Sequence, residues 1–435
     1  MLRFPAKGPT RSASFAVLLK ISALVAHMLT PGSIHGQITR AEDLNLILDN
    51  QREAPVPAPR PSVQDARPGP WGKLKYVYVY LEAPHQLIEN FPLPSPTPNW
   101  AFPVSVLPSL PKLFADAGLQ QPLIDFLVSE DNIIRDGAMA YIKPPLPQLE
   151  EMSPESRAVI YPELAKYPEN AYHVDPVIIT GATVEEWYAT SKLRPELIAK
   201  IKKFSYERSD TIVFSDIPLL LNYAQSDTEA RTIFKACTRT RTIMVRLQLD
   251  KASDAEQILE YWSLGIGLRR KDIEPILNSI IETDGIEDIG LSHLLPALAR
   301  KLIYTYPGPE LARHGTLPDC HWTSLNFFNY EPHEYLLDTN LATSRVLEQF
   351  EPVNEPFRYG DILFFLDNET GDAFHSSVYL ADDLVYTKNG RNILSPWVIM
   401  KIDDIRKIYL FRGNGRIQGF RRRDVEKAAE KKTSE

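Results

Sequence analysis

Alternating side chains mark two strands in the first 250 residues of the chain. Residues 74–80 read Leu-Lys-Tyr-Val-Tyr-Val-Tyr, which places tyrosines on one face and valines on the other. Residues 242–249 read Thr-Ile-Met-Val-Arg-Leu-Gln-Leu and are also rich in β-forming residues. A period of two residues is typical of a half-buried strand. The sequence therefore predicts a strand at each position.

The pattern between residues 112 and 302 is otherwise mainly helical. Isoleucine and leucine side chains within residues 273–281 recur on one helical face. Two pairs have the spacing of a capping box, in which a hydroxyl is followed three residues later by a carboxylate: Thr183 with Glu186, and Ser253 with Glu256. No repeat of fixed period supports a solenoid. We expect this region to serve packing, docking or substrate binding.

Strand and turn patterns dominate from residue 359 to residue 412, after a helical pattern that follows residue 320. Residues 361–366 read Asp-Ile-Leu-Phe-Phe-Leu, in which one aspartate precedes five apolar residues, a pattern typical of a buried strand. Two short strands are predicted at 376–380 and 384–387 around an Ala-Asp-Asp turn, and another at 406–411. Helices followed by such strands predict the α+β fold class.

Two proline-rich stretches and a charged stretch interrupt these patterns. Residues 54–70 contain six prolines and are predicted to be an extended linker. Residues 91–111 contain seven, and we expect an irregular surface segment with Trp100 and Phe102 as anchors. Residues 421–435 are highly charged, which predicts a solvated helical tail.

The beginning of the chain resembles an export signal. Basic residues up to Arg11 precede a mostly apolar stretch at 13–29, and small residues follow at 32–36. This order is typical of a secretory signal peptide. Lys20 interrupts the apolar run, which makes a stable membrane span less favourable. The sequence predicts a secreted or periplasmic protein of the cell envelope.

Composition excludes several classes of protein. The chain has 435 residues, a net charge of -8 and 44% hydrophobic residues, which is ordinary globular composition. The mild acidity argues against a dedicated nucleic-acid binder, because phosphate groups require a basic surface. The only two cysteines, Cys237 and Cys320, exclude a disulfide framework and a four-cysteine zinc site.

Residues 317–328 carry the strongest chemical signal. Pro318 disfavours helix at Leu317, and Asp319 is a plausible N-cap that places Cys320 in the first helical turn. The positive end of a helix dipole lowers a thiol pKa from its usual value of about 8.5 and so favours the nucleophilic thiolate. His375, at the start of a predicted strand, is the candidate base.

Three motifs together resemble the NlpC-type papain-like cysteine peptidases of bacterial cell walls. That family carries Asp-Cys-Ser-Gly at a helix start, then Gly-Asp-Leu-Val-Phe-Phe, then His-Val-Gly-Ile-Tyr-Leu-Gly-Asp. The counterparts here are Asp-Cys-His-Trp at 319–322, Gly-Asp-Ile-Leu-Phe-Phe at 360–365 and His-Ser-Ser-Val-Tyr-Leu-Ala-Asp at 375–382. The order and spacing agree over about residues 300–412.

The resemblance implies a papain-like fold, in which a helix carrying the cysteine packs on a small antiparallel sheet. It implies that Cys320 is the nucleophile and His375 the general base. A third polar residue on the next strand orients the imidazole in this family. Direct alignment gives Thr387, but we favour Asn389, because its amide carbonyl is the better acceptor for the ring N–H. Tyr306 is a candidate for binding the oxyanion.

One departure from the family pattern concerns the residues after the nucleophile. His321 and Trp322 replace a small Ser-Gly pair, which would reshape the substrate groove. This departure puts the usual peptidoglycan substrate in doubt but not the cysteine chemistry; His321 itself is interpreted as a groove wall. The cysteine-before-histidine order also fits the related CHAP amidases and argues against the circularly permuted branch.

The predicted function is an exported cysteine hydrolase, a peptidase or amidase, that cleaves amide bonds in peptidoglycan stem peptides or similar substrates. The alternative is an inactive cell-envelope binding or scaffold protein with a peptidase-like domain; acyl transfer is a third possibility. The predicted organisation is a signal peptide at 1–36, a linker at 37–72, a mainly helical domain at 73–302, the NlpC-like hydrolase domain at 303–415 and a charged tail at 416–435.

The remaining candidates receive structural interpretations. Cys237 lacks the context of Cys320 and is predicted to pack in a core. A Cys237–Cys320 disulfide is the competing interpretation. Zinc bound by Cys320, His321 and His375 lacks any metal-type local spacing, so no metal or cofactor is predicted. No nucleic-acid partner is expected.

Overall fold

A computed structural model describes residues 62–264, 267–313, 315 and 317–424. The predicted signal peptide and most of the predicted linker lie outside these residues. The described chain is a mixture of helices and small antiparallel sheets, as the α+β prediction required. No helix among the described residues is long and apolar enough to cross a bilayer.

The secondary structure begins at residue 64. The strands are β1 Gln64–Asp65, β2 Lys73–Leu81, β3 Trp100–Pro103, β4 Ile133–Asp136, β5 Met139–Ile142, β6 Val177–Ile179, β7 Tyr206–Arg208, β8 Thr211–Phe214, β9 Thr240–Gln248, β10 Asp288–Gly290, β11 Phe350–Val353, β12 Ile362–Asp367, β13 Ala373–Ala381, β14 Leu384–Lys388, β15 Trp397–Lys401 and β16 Gly415–Arg422.

The helices are short on average. They are α1 His85–Asn90, α2 Leu110–Asp116, α3 Gln121–Leu127, α4 Leu146–Glu151, α5 Pro154–Leu164, α6 Ala171–Val174, α7 Val184–Tyr188, α8 Pro195–Phe204, α9 Ile217–Leu221, α10 Asp227–Cys237, α11 Ala255–Ser263, α12 Gly267–Glu282, α13 Ala297–Leu302, α14 Pro309–Arg313, α15 Cys320–Leu325, α16 Thr339–Gln349 and α17 Ile402–Tyr409. Single 3-10 turns lie at Val104–Ser109, Glu130–Asn132, Leu291–Leu294 and Glu334–Leu337.

The two strands predicted from alternation, β2 and β9, pair antiparallel along their full length in a sheet of order β1-β2-β9-β10. Their last rung joins Leu81 to Thr240. The chain between these two residues forms a unit with its own hydrophobic cluster, which runs from Ala83 to Cys237. We call this part, residues 82–239, the helical unit. It also contains the sheets β3-β5-β4 and β6-β8-β7.

The second large sheet is antiparallel and has the order β11-β16-β12-β13-β14-β15. One face packs in a cluster that extends from Leu74 on β2 to Phe420 on β16 and includes α11, α12 and α15. The other face is covered by α17, with Ile405 fully buried. The first cluster therefore crosses the boundary predicted between residues 302 and 303, and β2 and β9 share a core with the C-terminal sheet.

Hydrogen bonds connect the two larger sheets directly. Thr242 on β9 donates its hydroxyl to the carbonyl of Ile399 on β15 at 2.9 Å, and the Ile399 N–H donates to the same hydroxyl oxygen at 3.1 Å. The buried hydroxyl thus has a partner both as a donor and as an acceptor. This contact holds β9, and with it the end of the helical unit, against the sheet that carries the site.

The end of the chain differs from the prediction in two places. Residues 406–411 were predicted as a strand, which is wrong, because they belong mostly to helix α17. Its apolar side chains recur three to four residues apart, which places them on one helical face toward the sheet. The charged tail predicted from residue 416 is also wrong up to residue 422, because β16 lies between β11 and β12.

The reason for the second error is a buried ion pair. Arg421 on β16 donates from Nε and Nη2 to the two carboxylate oxygens of Asp361, at 2.8 and 2.7 Å. Asp361 also accepts from the Arg358 N–H at 2.8 Å. An arginine that is buried because it is paired cannot be distinguished from an exposed arginine by the sequence alone.

Local predictions in the helical unit and around residue 253 had mixed outcomes. The capping box of Thr183 with Glu186 is confirmed in both directions. The other capping box is wrong by one residue, because Asp254 rather than Ser253 caps α11. Trp100 and Phe102 are buried anchors as predicted, but they lie in strand β3 instead of an irregular segment. The end of the predicted linker forms β1 on the edge of β2.

Candidate active site

Cys320 is the first residue of α15, and its position follows from the sequence before it. Asp319 is the N-cap, and its Oδ1 accepts from the Trp322 N–H at 2.9 Å. The other carboxylate oxygen accepts from the Arg391 guanidinium. At the far side, the Trp397 indole on β15 donates to the Thr323 hydroxyl at 3.0 Å. The helix is thus fixed on the sheet at both of its ends, with the thiol at its amino end.

His375 lies on β13, directly under α15, and has no exposed surface. The Thr387 hydroxyl on β14 donates its single proton to the Ser376 carbonyl at 3.0 Å. The same hydroxyl lies 3.1 Å from His375 Nε2, so it must accept the Nε2 proton. Nδ1 then carries the lone pair, and among the described residues it faces no polar partner other than the Cys320 thiol. This is the tautomer that can accept a proton from a thiol.

Aromatic rings fix the plane of this imidazole. The Tyr409 ring on α17 stacks on it with a centroid distance of 4.1 Å and an interplanar angle of 16°. Phe365 on β12 meets it edge-on at 5.5 Å. Such packing restricts rotation of the ring, which preserves the orientation that Thr387 selects.

A second imidazole, that of His321, also lies beside the thiol. Ser376 donates its hydroxyl to the Ser324 hydroxyl at 3.1 Å, so it accepts from His321 Nδ1 at 3.0 Å. The ring also forms hydrogen bonds with the Cys320 thiol and with the backbone of Ala373. The ring stacks on Phe364 at 5.8 Å. His321 is therefore held by a chain of hydroxyls instead of projecting freely as a groove wall.

The two imidazoles dominate the charge state of the thiol. Burial alone would raise the pKa of Cys320, but the charges of His321 and His375 and their hydrogen bonds lower this pKa to about 5. Burial would lower the pKa of His321, but the charge and hydrogen bond of Cys320, followed by the charge of Asp319, raise it to about 9. A thiolate–imidazolium pair is the favoured state near neutral pH.

A buried lysine lies next to this pair. Lys388, which follows Thr387 on β14, donates to the carbonyls of Gly390 and Asn392 at 2.9 and 2.8 Å. Burial lowers its pKa to about 7, although the charges of Asp319 and Cys320 act in the opposite direction. Its structural effect is to fold residues 389–392 back toward β14.

The predicted third residue, Asn389, does not hold the imidazole. Its amide donates to the Met400 sulfur at 3.3 Å, and Thr387 occupies the position beside His375. The physical reason is strand geometry, because Thr387 lies on the neighbouring strand within hydrogen-bonding distance of the ring, whereas Asn389 lies beyond the end of β14.

Tyr306 and Cys237 both lie with the helical unit. The Tyr306 ring packs against its hydrophobic cluster, and its buried hydroxyl has no partner among the described residues. Cys237 is a member of that cluster, which confirms its predicted packing role. Both cysteines are free thiols. Of the described residues, no three His, Cys, Asp or Glu side chains are grouped so that they could hold a metal ion.

A cavity of about 520 Å³ lies between the helical unit and the C-terminal sheet. Leu317, Asn389 and Tyr409 are among the residues that line it. Tyr409 therefore has one face toward His375 and also borders the cavity. Sequence reasoning missed Tyr409, because the segment that contains it was interpreted as a strand.

Comparison of the chain with protein-family models, with curated proteins and with solved structures gave no match.

Proposed function

We propose that this protein is a cysteine hydrolase that cleaves amide bonds, with Cys320 as nucleophile and His375 as general base. The observation that carries the proposal is the arrangement of the buried imidazole. Thr387 holds Nε2, which leaves Nδ1 with a lone pair and, among the described residues, no partner except the Cys320 thiol, whose pKa is depressed. A buried nitrogen whose only polar neighbour is a thiol destabilises the fold, so its presence supports a functional role.

In this mechanism the Cys320 thiolate attacks the carbonyl carbon of the substrate amide. The carbonyl electron pair moves to oxygen, where backbone N–H groups near the nucleophile stabilise the negative charge. As the substrate binds, the proton that the resting pair holds on His321 passes through the thiol to His375 Nδ1. His375 then transfers this proton to the leaving nitrogen, the C–N bond breaks, and an acyl-thioester remains. His375 then deprotonates a water molecule, which attacks the thioester to release the acid and regenerate the thiolate.

His321 has a separate role in this proposal. Its Nδ1 is bound to Ser376, so its Nε2 can donate to the thiolate as an imidazolium. It therefore stabilises the resting ion pair, while His375 moves the proton. Two histidines divide the tasks of charge stabilisation and proton transfer.

The fold and the substrate class belong to the same proposal. Helix α15 packs on β13 and β14 of an antiparallel sheet, an arrangement that supports a papain-like domain of the NlpC type. We propose peptidoglycan stem peptides or related amides as substrates, and an exported protein of the cell envelope. The sequence motifs at 319–322, 360–365 and 375–382 support this choice.

The test is the pH dependence of iodoacetamide labelling at Cys320. In the otherwise unchanged chain we expect half-maximal labelling near pH 5. His375→Ala and His321→Ala should each raise that midpoint by about one to two pH units, because each removes a charge-assisted hydrogen bond to the thiolate. Slow labelling with an ordinary thiol midpoint, unaffected by either variant, would overturn the proposal.

A second candidate, an inactive envelope scaffold, is favoured by one observation. Cys320 is only 5% exposed and His375 has no exposed surface, so access to the pair is narrow. Incubation with peptidoglycan fragments separates the two functions. The hydrolase should release new amino or carboxyl groups, and Cys320→Ala should not, whereas binding without any release would support the scaffold.

A further inference from the structure

The cavity between the helical unit and the C-terminal sheet has an unusual balance of charge. Its described lining residues include four arginines, Arg208, Arg239, Arg241 and Arg412, but only one carboxylate, Asp175. The cavity volume of about 520 Å³ lies within the range of about 300–1,000 Å³ that small-molecule sites occupy. Its charge predicts an anionic ligand.

Two of the four arginines already have partners that neutralise their charge or accept hydrogen bonds from their guanidinium groups. Arg239 donates to Glu82 at 3.0 Å and to the Trp187 carbonyl at 2.6 Å. Arg241 donates to the Thr180 carbonyl at 2.8 Å, and its guanidinium lies 3.4 Å from the centroid of the Tyr78 ring. These two side chains mainly join the helical unit to its surroundings.

The other two arginines lack a carboxylate partner in the part of the chain that the structure describes. Neither Arg208 nor Arg412 forms an ion pair with a described residue, and the guanidinium groups lie 4.1 and 5.5 Å from the centroid of the same Phe411 ring. Nε and Nη2 of Arg208 are buried and have no hydrogen-bond partner among the described residues. Buried donors such as those of Arg208 are costly to leave unpaired, and the exposed Arg412 guanidinium beside the same ring adds a second positive charge that an anion would neutralise.

The rest of the wall does not supply that anion. Asp175 accepts from the Asn392 amide at 3.0 Å, and burial raises its pKa, which weakens it as a counter-ion. His173 Nε2 also has no partner among the described residues, and burial lowers the pKa of this ring to about 3, so it stays neutral. Among the described residues that line the cavity, none therefore neutralises Arg208 and Arg412.

We propose that this cavity binds the carboxylate of a small amide or peptide substrate, with Arg208 as its principal anchor and Arg412 as a second donor. A guanidinium fork matches a carboxylate in a planar, bidentate pair. Because Nε and Nη2 are covered by neighbouring atoms, the fork must turn toward the cavity when the anion enters.

The cavity borders the proposed catalytic residues, although Cys320, His321 and His375 do not themselves line it. Tyr409 lines the cavity and stacks on His375, and Leu317 lines it three residues before Cys320. A substrate held by its carboxylate at Arg208 would extend along aromatic and apolar walls toward the thiol. This inference rests on the proposed hydrolase function for its substrate, but the binding itself requires no catalysis.

The experiment measures binding to the full chain carrying Cys320→Ala, so that turnover cannot occur. The probes are N-benzoylglycine and its neutral amide, N-benzoylglycinamide, titrated by calorimetry at neutral pH. We expect the acid to bind about tenfold more tightly than the amide. Arg208→Gln in the same background should remove this preference, whereas the matched control Arg135→Gln, at an exposed ion pair on β4, should retain it.

Two further arms keep the test decisive. If Arg208→Gln does not fold, Arg412→Gln takes its place and should reduce the preference about threefold, since its side chain is more exposed. Inorganic phosphate should not displace the acid at equal concentration; if it does, the assignment to a carboxylate is overturned. The absence of any preference for the acid, or a preference that survives Arg208→Gln, also overturns it.

Failure of the carboxylate-binding proposal can be distinguished from failure of the proposed hydrolase function. Labelling of Cys320 is measured separately, in protein that retains this cysteine and in the absence of N-benzoylglycine. Fast labelling with no preference for the acid would retain the hydrolase and remove the carboxylate site. Slow labelling with a clear preference that depends on Arg208 would retain the anion site in a protein that is not a cysteine hydrolase.

Discussion

The two cysteines of this protein occupy opposite ends of helices in two different regions. Cys237 is the last residue of α10 in the helical unit, and Cys320 is the first residue of α15 on the C-terminal sheet. They are almost equally buried, with 9% and 5% of their surface exposed. Burial, supported by the charge of Glu82, raises the pKa of Cys237 to about 12, whereas that of Cys320 falls to about 5.

The difference shows that burial does not decide the reactivity of a thiol here. Both thiols are removed from water, which disfavours the thiolate in each case. Only Cys320 has imidazoles within hydrogen-bonding distance, and its helix end presents N–H groups instead of carbonyls. Cys237 therefore serves as an internal control for every test of Cys320.

The largest expected effect is the ratio of the labelling rates of the two cysteines at neutral pH. Their thiolate fractions differ by about five orders of magnitude, but a more basic thiolate is intrinsically more nucleophilic, which leaves a ratio of about 10² in favour of Cys320. Peptide mass spectrometry after brief exposure to iodoacetamide measures both rates in one sample. Equal rates would remove the distinction between the two sites.

The next effect is on stability between pH 6.5 and 5. The unfolded reference values are 9.0 for Cys320 and 6.5 for His321, against about 5 and about 9 in the folded protein. Between pH 6.5 and 9 the folded state has moved one proton from the thiol to the imidazole, so folded and unfolded states bind equal numbers of protons. Below pH 6.5 the unfolded histidine is also protonated, while the folded thiol stays ionised until about pH 5.

The free energy of unfolding should therefore fall by up to about 2 kcal/mol as the pH decreases across this window. Urea denaturation at the two limits measures it. The double variant Cys320→Ala/His321→Ala should lose this part of the pH dependence, and Cys237→Ala should keep it. A pH dependence that is identical in all three proteins would contradict the ion pair.

The smallest effect concerns the residue that orients His375. Thr387→Val removes a hydrogen bond worth about 1 kcal/mol, so the labelling midpoint of Cys320 should rise by up to about one pH unit. Thr387→Ser retains the hydroxyl and should restore the midpoint. Asn389→Ala is the matched control, since its amide contacts Met400 instead of the imidazole. A larger shift for Asn389→Ala than for Thr387→Val would return the role to the residue favoured from the sequence.

The sequence predicted the parts of the site that depend on local chemistry. Pro318 and Asp319 correctly placed Cys320 at a helix start, and the apolar run at 361–366 and the hairpin at 376–387 correspond to β12, β13 and β14. These features follow from caps, alternation and turns, which involve neighbours in the chain. The predicted roles of Cys320 and His375 remain predictions until the labelling test.

The parts that the sequence did not predict depend on distant neighbours. Arg421 looked like a solvated charge until Asp361, sixty positions earlier, was found opposite it in the sheet. His321 looked like a groove wall because its partner, Ser376, is on β13. Direct alignment with the family gave Thr387, but the argument from acceptor strength favoured Asn389, which lies beyond the end of β14 and contacts Met400. The pairings of Arg421 and His321 leave no local signal in the sequence.

The rung between Leu81 and Thr240 gives the molecule a modular character. Strands β2 and β9 form an ordinary antiparallel pair, and the whole helical unit leaves from one rung and returns to it. Such an arrangement is that of a domain inserted into a hairpin, and hairpin tips are the positions where insertions are best tolerated. A short turn that joins the two strands directly would give a minimal form of the protein, which keeps Cys320, His375 and Thr387 but loses Arg208 and one wall of the cavity.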